Sequence, residues 1–431
     1  MSIHQKYNVH KRFLGIVSIF IFLPFANSFA EGLINTSHLD HLYEQINVNG
    51  NKLGIIHIYS EYPDYKWIGD EDEGITCVDD VARAAIFYIE HYKLYHSKAS
   101  YKKAKSLIRF VIYMQAENGF FYNFIFPDYS INKTFKTSVA EPNWWSWRAL
   151  WCLAEAKNIF KEDKNLNKKI DKAIDKTLDS AKKWFSTKTR VVNYNGFELP
   201  SWLPFETAAD QSALIIKALC IYYKKRNDNS ILPIIKKLSD GIMMMQAGDK
   251  DNFPYGCFLS WQNTWHGWGN SQSEALLLAS EILRDDKYST AALNEIKYFY
   301  PYLIRENYIS NFELNKDESK KNSLVRREKF SQIAYEISPV VLSSLKAYQL
   351  FKDTLFLRTA VDAGLWFFGK NVLNKHMYDT DSGRCFDGII SETEVNKNSG
   401  AESTIEALLA LIAIEKIPAA SKLFTDTINC K

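Results

Sequence analysis

The chain of 431 residues carries 53 lysine and arginine residues against 50 aspartate and glutamate residues, and 46% of it is hydrophobic. Residues 1–30 are predicted to be an export signal, with a basic start, an apolar run over 13–25 and a small-x-small cleavage site that ends at Ala30. The signal holds three of the basic residues and none of the acidic ones, so the mature chain has 50 of each. That balance argues against a nucleic-acid or anionic-membrane partner.

No later stretch is apolar for long enough to span a bilayer, so we expect an exported protein, periplasmic or secreted. Residues 31–431 are expected to form one domain. The six cysteines are scattered without a C-x-x-C or zinc-like spacing, and Cys152 and Cys220 fall in apolar helical patterns that predict burial. The turn at Asp379–Gly383 lacks the ligand spacing of a calcium loop. We therefore predict neither a metal nor another cofactor.

In chain order, a helix at 34–46 and a brief extended segment at 54–59 follow the signal. From there apolar residues recur at helical spacing, and little of the chain alternates as a strand does. The further predicted helices run over 78–95, 98–115, 142–161, 165–186, 205–225, 229–246, 269–284, 287–305, 332–351, 354–370 and 399–415.

Acidic residues mark the start of alternate helices at a nearly constant interval. Glu141 follows Asp79 by 62 residues, Glu206 follows Glu141 by 65, and Glu402 follows Glu336 by 66. A period slightly above 60 that holds two helices indicates a repeated helical hairpin. In each hairpin a nearly all-apolar helix precedes an amphipathic one, which indicates an inner and an outer layer.

Six such hairpins closed into a ring make an all-α (α/α)6 toroid, which is the predicted fold. Residues 399–415 supply the sixth inner helix. Because little chain follows, the helix at 34–46 is expected to serve as the sixth outer helix. An open solenoid of hairpins is the rival architecture, but it needs polar caps and does not gather functional groups at one rim.

The helix within residues 74–95 is apolar on nearly all sides, yet its first turn carries Asp79, Asp80 and Arg83. The simplest interpretation makes Asp79 the N-cap and Asp80 a first-turn acid that suits the helix dipole. Charged groups at the end of a buried helix also face clefts or pair with one another. In a toroid the N-terminal ends of the inner helices converge on one cleft. The polar and aromatic residues at these ends are Asp79, Asp80, Arg83, Glu141, Trp144, Trp145, Trp147, Arg148, Trp202, Glu206, Asp210, Trp261, Trp265, His266, Trp268, Asn270, Glu274, Gln332, Tyr335, Glu336, Asn398, Glu402 and Glu406.

Indole rings beside carboxylates and amides suit a sugar-binding cleft, because a pyranose ring stacks on the indole while polar groups bond its hydroxyls. We therefore expect a carbohydrate partner, an oligo- or polysaccharide, uronate-containing ones included. The residues expected to bind it are Arg83, Trp144, Trp145, Arg148, Trp202, Asp210, Trp265, His266, Asn270, Tyr335, Glu336 and Glu402.

Two carboxylates across a cleft indicate glycoside hydrolysis, in which one is the general acid and the other a base or nucleophile. The expected pair is Asp80 and Glu141, on adjacent inner helices, with Glu206 as the alternative partner. Asp79 and Arg83 would then orient or tune Asp80.

Three motifs carry a resemblance to known proteins: CVDDVARA at Cys77–Ala84, WRALW at Trp147–Trp151 and GAEST at Gly400–Thr404. They are similar to motifs of bacterial toroid proteins and of toroid domains attached to some glycosyltransferases. With the hairpin period and the aromatic rim, they make the mature chain resemble the six-hairpin glycosidase superfamily of (α/α)6 toroids. Members of that superfamily include glycoside hydrolases, with polysaccharide lyases and sugar epimerases on related toroids, so the resemblance implies a carbohydrate-active enzyme. Unsaturated glucuronyl hydrolases of that superfamily have an aspartate on each of two successive inner helices; Asp80 matches the first, and Glu141 departs from the second.

Other activities on related toroids remain open. A polysaccharide lyase would use Tyr335 or His266 as its base, with Arg148 and Asn270 facing the uronate carboxylate. A sugar epimerase needs a base on each face of the sugar, and only one histidine stands at the rim. A toroid that binds carbohydrate without turnover is the third alternative.

Overall fold

The computed structural model describes residues 32–185, 190–316 and 321–430, so the export signal predicted at 1–30 lies outside the described residues. After a short helix, α1 (Ser37–Leu42), the described chain contains six long helices that are buried on most of their surface. These inner helices are α2 (Val78–Tyr95), α4 (Trp144–Ala156), α6 (Ala209–Arg226), α8 (Gln272–Leu283), α11 (Ala334–Phe351) and α13 (Ala401–Glu415).

The helices that follow the inner ones bury one face only and form the outer layer. They are α3 (Lys98–Tyr113), α5 (Lys164–Phe185), α7 (Leu232–Met244), α9 (Asp286–Asn294) with α10 (Tyr300–Arg305), α12 (Thr354–Gly364) and α14 (Pro418–Asn429). Each inner helix packs beside the next, and α13 packs against α2, which closes the ring. The predicted all-α (α/α)6 toroid is confirmed. Cys152 and Cys220 are buried as predicted, and all six cysteines are unpaired.

The two ends of the toroid differ in the length of their connections. Four inner helices end on a residue in the left-handed conformation, and the next residue is the N-cap of the outer helix or, after α6, of a 3-10 turn that leads into α7. Those left-handed residues are His96, Asn227, Arg284 and Lys352. At the opposite end, connections of about 25 to 35 residues lead from most outer helices to the next inner helix. The N-terminal ends of the inner helices therefore lie among long loops.

The sixth outer helix is not the one that the sequence predicts. Helix α1 ends at Leu42, and the predicted helix 34–46 is wrong beyond that residue because the chain continues as a strand that buries Ile46 and Val48. The sixth outer helix is α14, which starts at Pro418 and packs on α12 and α13. Proline at the first helical position suits a helix start, since that residue has no intrahelical N–H bond to lose.

Short antiparallel strand pairs lie in the loops, and the sequence predicts only the extended segment at 54–59, which overlaps the strand at Asn51–Ile56 and the start of the one at Tyr59–Glu61. They are β1 (Tyr43–Val48) with β2 (Asn51–Ile56), β3 (Tyr59–Glu61) with β4 (Lys66–Ile68), β5 (Thr76–Cys77) with β6 (Phe124–Ile125), β7 (Val191–Tyr194) with β8 (Phe197–Pro200), β9 (Gln246–Ala247) with β10 (Cys257–Phe258), β11 (Thr264–His266) with β12 (Asn311–Lys316) and β13 (Asn322–Glu328), and β14 (Gly388–Ile389) with β15 (Val395–Asn396). Two hairpins turn on Asn-Gly pairs, Asn49–Gly50 and Asn195–Gly196, with positive φ at both residues. This geometry is the turn that matches strand twist.

A buried carboxyl interrupts the predicted helix 287–305. Glu295 lies on a π-helical turn between α9 and α10 and is 0% exposed. Its Oε1 accepts a hydrogen bond from the Phe258 N–H at 2.8 Å, and its Oε2 accepts from the hydroxyls of Ser273 at 2.6 Å and Tyr300 at 3.2 Å. Burial outweighs these three donors and raises the pKa of Glu295 to about 7.

We expect Glu295→Gln to flatten the pH dependence of stability. Above its unfolded pKa of 4.5 and up to about 7, the folded protein keeps a proton that the unfolded chain releases, so the free energy of unfolding falls as pH rises. A glutamine can accept from Phe258 and donate to both hydroxyls without carrying charge. Urea unfolding at about pH 8 should show the variant more stable by up to about 3 kcal/mol, with no gain at about pH 4. An unchanged pH dependence would contradict the assignment.

Candidate active site

The first turn of α2 is organised by a cysteine. Strand β5 delivers Cys77 in extended conformation to the N-cap position, where its Sγ accepts from the Asp80 N–H at 3.3 Å. The same thiol donates to Asp80 Oδ2 at 3.2 Å. The interpretation of Asp79 as the N-cap is therefore wrong, because the cap lies two residues earlier and leaves the Asp79 carboxylate free for other contacts.

Substituting Cys77 tests this cap. Cys77→Ala removes the acceptor for the Asp80 N–H and a donor to its carboxylate, so we expect the free energy of unfolding to fall by about 1 kcal/mol. Cys77→Ser keeps both interactions and is the matched control, expected close to wild type. Urea unfolding of the three proteins measures the difference, and equal losses in both variants would contradict the capping role.

Arg83 is the centre of the site. The side chain is 1% exposed, and its Nη2 lies 2.6 Å from Asp80 Oδ1 and 3.2 Å from both Asp79 Oδ2 and Glu402 Oε2. Its Nη1 donates to Glu406 Oε1 at 2.8 Å. One guanidinium from the first inner helix thus holds two carboxylates of its own helix and two of the sixth, across the seam that closes the ring.

Arg148, from the second inner helix, completes the cluster. Its Nε lies 2.7 Å from Asp79 Oδ1, and its Nη2 donates to the Tyr335 hydroxyl. The Tyr335 ring lies beneath both guanidinium groups, with centroids 5.1 Å from Arg83 Cζ and 4.8 Å from Arg148 Cζ. Such cation–π stacking fixes the planes of both arginines. Burial raises the pKa of Tyr335 above its ordinary value.

The two carboxylates nearest Arg83 differ in accessibility. Asp80 is 4% exposed, whereas the Glu402 side chain keeps 45% of its surface accessible. Desolvation raises the pKa of Asp80 and of Glu402, and the positive charge of Arg83 opposes the rise in both. Glu402 therefore combines access to the cleft with a carboxyl that holds its proton to higher pH than an ordinary glutamate.

A cavity of about 170 Å³ opens beside Glu402. It is lined by the start of β3 with Tyr59, by Asp387 just before β14, and by the N-terminal ends of α11 and α13, which include Tyr335. The Tyr59 ring is 40% exposed. The site thus has an aromatic wall on the side of the sixth inner helix. Tyr59 carries no sequence signal of this role, since it lies outside the six inner helices.

A second cluster lies at the third and fourth inner helices. His266 Nε2 is 3.0 Å from Asp210 Oδ2, and His266 Nδ1 is 2.8 Å from the Trp268 carbonyl oxygen. The imidazole stacks on the Trp268 indole at a centroid distance of 3.6 Å, and Trp144 packs on the same indole at 5.7 Å. Trp268 is 39% exposed. An accessible indole that two neighbouring rings hold in place is suited to stack on a sugar ring.

The structure places the predicted residues in three groups. The Arg83 cluster joins Asp79, Asp80, Arg83, Arg148, Tyr335 and Glu402, and the Trp268 cluster joins Trp144, Asp210 and His266. Among the described residues, the others make no hydrogen bond, ion pair or ring contact with either cluster. They are Glu141, Trp145, Trp202, Glu206, Trp265, Asn270 and Glu336.

The residues outside the two clusters make hydrogen bonds and packing contacts with their own neighbours. Glu141 accepts from the Asn143 amide at 2.8 Å, and Glu206 is exposed on a left-handed turn. The indole N–H of Trp145 donates to Phe121 O at 2.7 Å, that of Trp202 donates to Lys237 O at 3.0 Å, and Trp265 stacks on Phe312. Asn270 and Glu336 are buried. A role for these residues in binding or catalysis stays a prediction.

In the three described ranges, no group of three or more histidine, cysteine, aspartate or glutamate side chains is arranged to hold a metal ion. No helix of the described chain is both long and apolar enough to cross a bilayer.

The ring of six helical hairpins is an (α/α)6 toroid, and the chain shares this fold with solved structures of sugar epimerases, an isomerase and a glycoside hydrolase. The chain is similar to the cellobiose 2-epimerase of Bacillus thermoamylovorans, with a TM-score of 0.58 and 11% identity over 88% of this chain and 95% of that one. It is also similar to a D-mannose isomerase (TM-score 0.55, 12% identity, 84% and 91% covered).

A family 76 glycoside hydrolase from a bovine Bacteroides thetaiotaomicron strain is similar as well (TM-score 0.54, 11% identity, 90% and 79% covered). No protein-family model matches the sequence, and no curated protein matches it. At these identities the likeness shows the fold. The chemistry has to come from the side chains of the cleft.

Proposed function

We propose that the protein is a carbohydrate-active enzyme that hydrolyses glycosidic bonds, with Glu402 as the general acid and Asp79 as its partner carboxylate. The observation that carries the proposal is that both carboxylates bond one nitrogen, Arg83 Nη2, and both keep accessible surface, 45% of the Glu402 side chain and 22% of that of Asp79. Asp80 bonds the same nitrogen but is buried, so it positions Arg83.

The spacing suggests how the pair works. Each oxygen is 3.2 Å from Arg83 Nη2, so the Asp79 and Glu402 oxygens lie within 6.4 Å of each other. This fits the close arrangement of retaining glycosidases, whose carboxyl groups stand roughly 5 Å apart, better than the wider inverting one. Glu402 protonates the leaving oxygen while Asp79 attacks the anomeric carbon and the glycosidic bond breaks. Water then gives its proton to Glu402 and releases the sugar from Asp79.

The alternatives fit the same residues less well. For a lyase, the raised pKa of Tyr335 disfavours a phenolate base, and Arg148 is already engaged by Asp79 and Tyr335. For an epimerase, both ring nitrogens of His266 already have partners in the second cluster. The pair of Asp80 with Glu141 stays a prediction, in which the burial of Asp80 hinders contact with substrate.

A panel of polysaccharides and oligosaccharides tests the proposal. We expect the mature protein to release new reducing ends from at least one glycan, without the ultraviolet absorbance of an unsaturated uronide. Rising absorbance would replace the hydrolase with a lyase, and an altered sugar without chain cleavage would replace it with an epimerase.

Trp268 should serve binding more than chemistry. Trp268→Ala removes the accessible indole that His266 and Trp144 hold in place, so we expect KM to rise about tenfold with kcat changed by less than about threefold. Phe351→Ala, which removes a 46% exposed ring at the far end of α11, is the control and should leave both constants unchanged. Initial rates on a cleaved glycan measure both constants, and an unchanged KM for Trp268→Ala would contradict the stacking role.

A further inference from the structure

The N-terminal ends of the inner helices carry an excess of acidic side chains. Taking the three residues before each inner helix and its first six residues, these windows hold nine acidic side chains and two basic ones. All lie within the described residues. The acidic ones are Asp79, Asp80, Glu141, Glu206, Asp210, Glu274, Glu336, Glu402 and Glu406.

Neither cation of these windows is available to a ligand. Arg83 is 1% exposed and its guanidinium contacts four carboxylates, while Arg148 is 2% exposed and contacts Asp79 and Tyr335. By contrast, five of the acidic side chains keep accessible surface in addition to their contacts. They are Asp79, Glu141, Glu206, Glu274 and Glu402.

Charged groups just outside these windows do not reverse this sign. His266 is paired with Asp210, and Lys217 lies 2.6 Å from Glu274 with 3% of its side chain exposed. Lys397 lies over the Tyr62 ring on the loop that precedes α13.

A buried amide without partners is an independent indication of the hydrogen-bonding groups that the ligand carries. Asn270 stands two residues before α8 and is 5% exposed, yet neither atom of its amide has a hydrogen-bond partner among the described residues. A buried amide without partners costs free energy unless a ligand or water satisfies it. Hydroxyl groups of a sugar can both donate to and accept from such an amide and an ammonium group can donate to it, whereas a carboxylate can only accept.

We propose that the cleft takes glycans built from hydroxyl- and amine-bearing sugars and rejects those that carry carboxylates. A uronate would bring like charge to Glu402, Glu141 and Glu206, while Arg83 and Arg148 are already paired with carboxylates. An ammonium group would be attracted by the same residues. This inference rests on the proposed function. It excludes from the substrate class the uronate-containing glycans that the sequence analysis leaves open.

Matched ligands test the inference. Cello-, malto- and manno-oligosaccharides would each be prepared in neutral form, aminated at the primary hydroxyl, and oxidised there to the carboxylate. Calorimetric titration at low salt into the Glu402→Gln protein, in which turnover is suppressed, should show the oxidised form binding at least about tenfold more weakly than its neutral parent, and the aminated form at least as tightly. Adding Glu141→Gln and Glu206→Gln should reduce the difference in affinity between the oxidised ligand and its neutral parent to below about threefold.

The control and the contrary outcomes are distinct. Adding Glu162→Gln, which removes an exposed charge between α4 and α5 at the opposite end, should leave this difference in affinity unchanged. An oxidised ligand that binds as tightly as its neutral parent, or a difference in affinity that the two added substitutions do not reduce, would overturn the inference while leaving glycan hydrolysis intact. No binding of any form on any backbone would overturn the proposed function together with the inference.

Discussion

Arg83→Met should lower the free energy of unfolding by about 3–5 kcal/mol, the largest loss that we expect from a single substitution in this protein. The change leaves Asp80 and Glu406, each under 5% exposed, without the guanidinium that bonds them. It also removes the ion pairs that join α2 to α13, where the ring closes. Urea unfolding near neutral pH measures the loss.

The matched control is Arg326→Met, whose side chain is 57% exposed and pairs with Glu328; it should change stability by less than about 1 kcal/mol. Because uncompensated buried carboxylates take up protons, the loss in Arg83→Met should shrink in mild acid. If Arg83→Met is insoluble, Arg83→Lys keeps the charge and should recover part of the stability. A loss below about 1 kcal/mol for Arg83→Met would contradict the central role of this residue.

Glu402→Gln should lower kcat by about 10²–10⁴-fold, the range that general acid catalysis contributes. The amide cannot protonate a leaving oxygen, but it keeps the size of the side chain, so the free energy of unfolding should change little. Initial rates on a cleaved glycan measure the loss. Glu162→Gln, at the opposite end of the toroid, is the control and should retain full activity.

The pH profile gives a second readout of the same residue. The general acid must be protonated, and the pKa of Glu402 is raised by desolvation. Wild-type activity should therefore persist above the ordinary titration range of glutamate and fall as pH rises through the raised pKa. The basic limb should be missing from the residual activity of Glu402→Gln, and its persistence there would assign the acid to another group.

The inner layer could be predicted from the sequence because its determinants are local. Apolar periodicity places the inner helices within a few residues of their observed bounds, and the interval between Asp79, Glu141 and Glu206 shows the hairpin repeat. The sixth outer helix, from Pro418, was assigned instead to residues 34–46 because little chain follows residue 415. Most of the strands were missed because they are two to four residues long, too short to alternate visibly.

The site could be predicted only as a set of candidates. First-turn positions identify Asp79, Asp80 and Glu402, because inner-helix ends converge in any closed toroid. The sequence does not show that Arg83 reaches residues 319 and 323 positions away, or that Asp80 is buried while Glu402 is accessible. Those differences depend on how the first and sixth inner helices meet, which is a property of the closed ring.

The most direct test of the proposed pair is to look for a covalent bond between sugar and protein. Glu402→Gln would be incubated with a glycosyl fluoride, whose leaving group needs no protonation, and analysed by intact-mass and peptide mass spectrometry. Without an acid/base residue to activate water, the intermediate should accumulate, and the added mass of one glycosyl unit should map to Asp79. Turnover of the fluoride without an adduct, or an adduct on Asp80 or Glu141, would contradict the assignment.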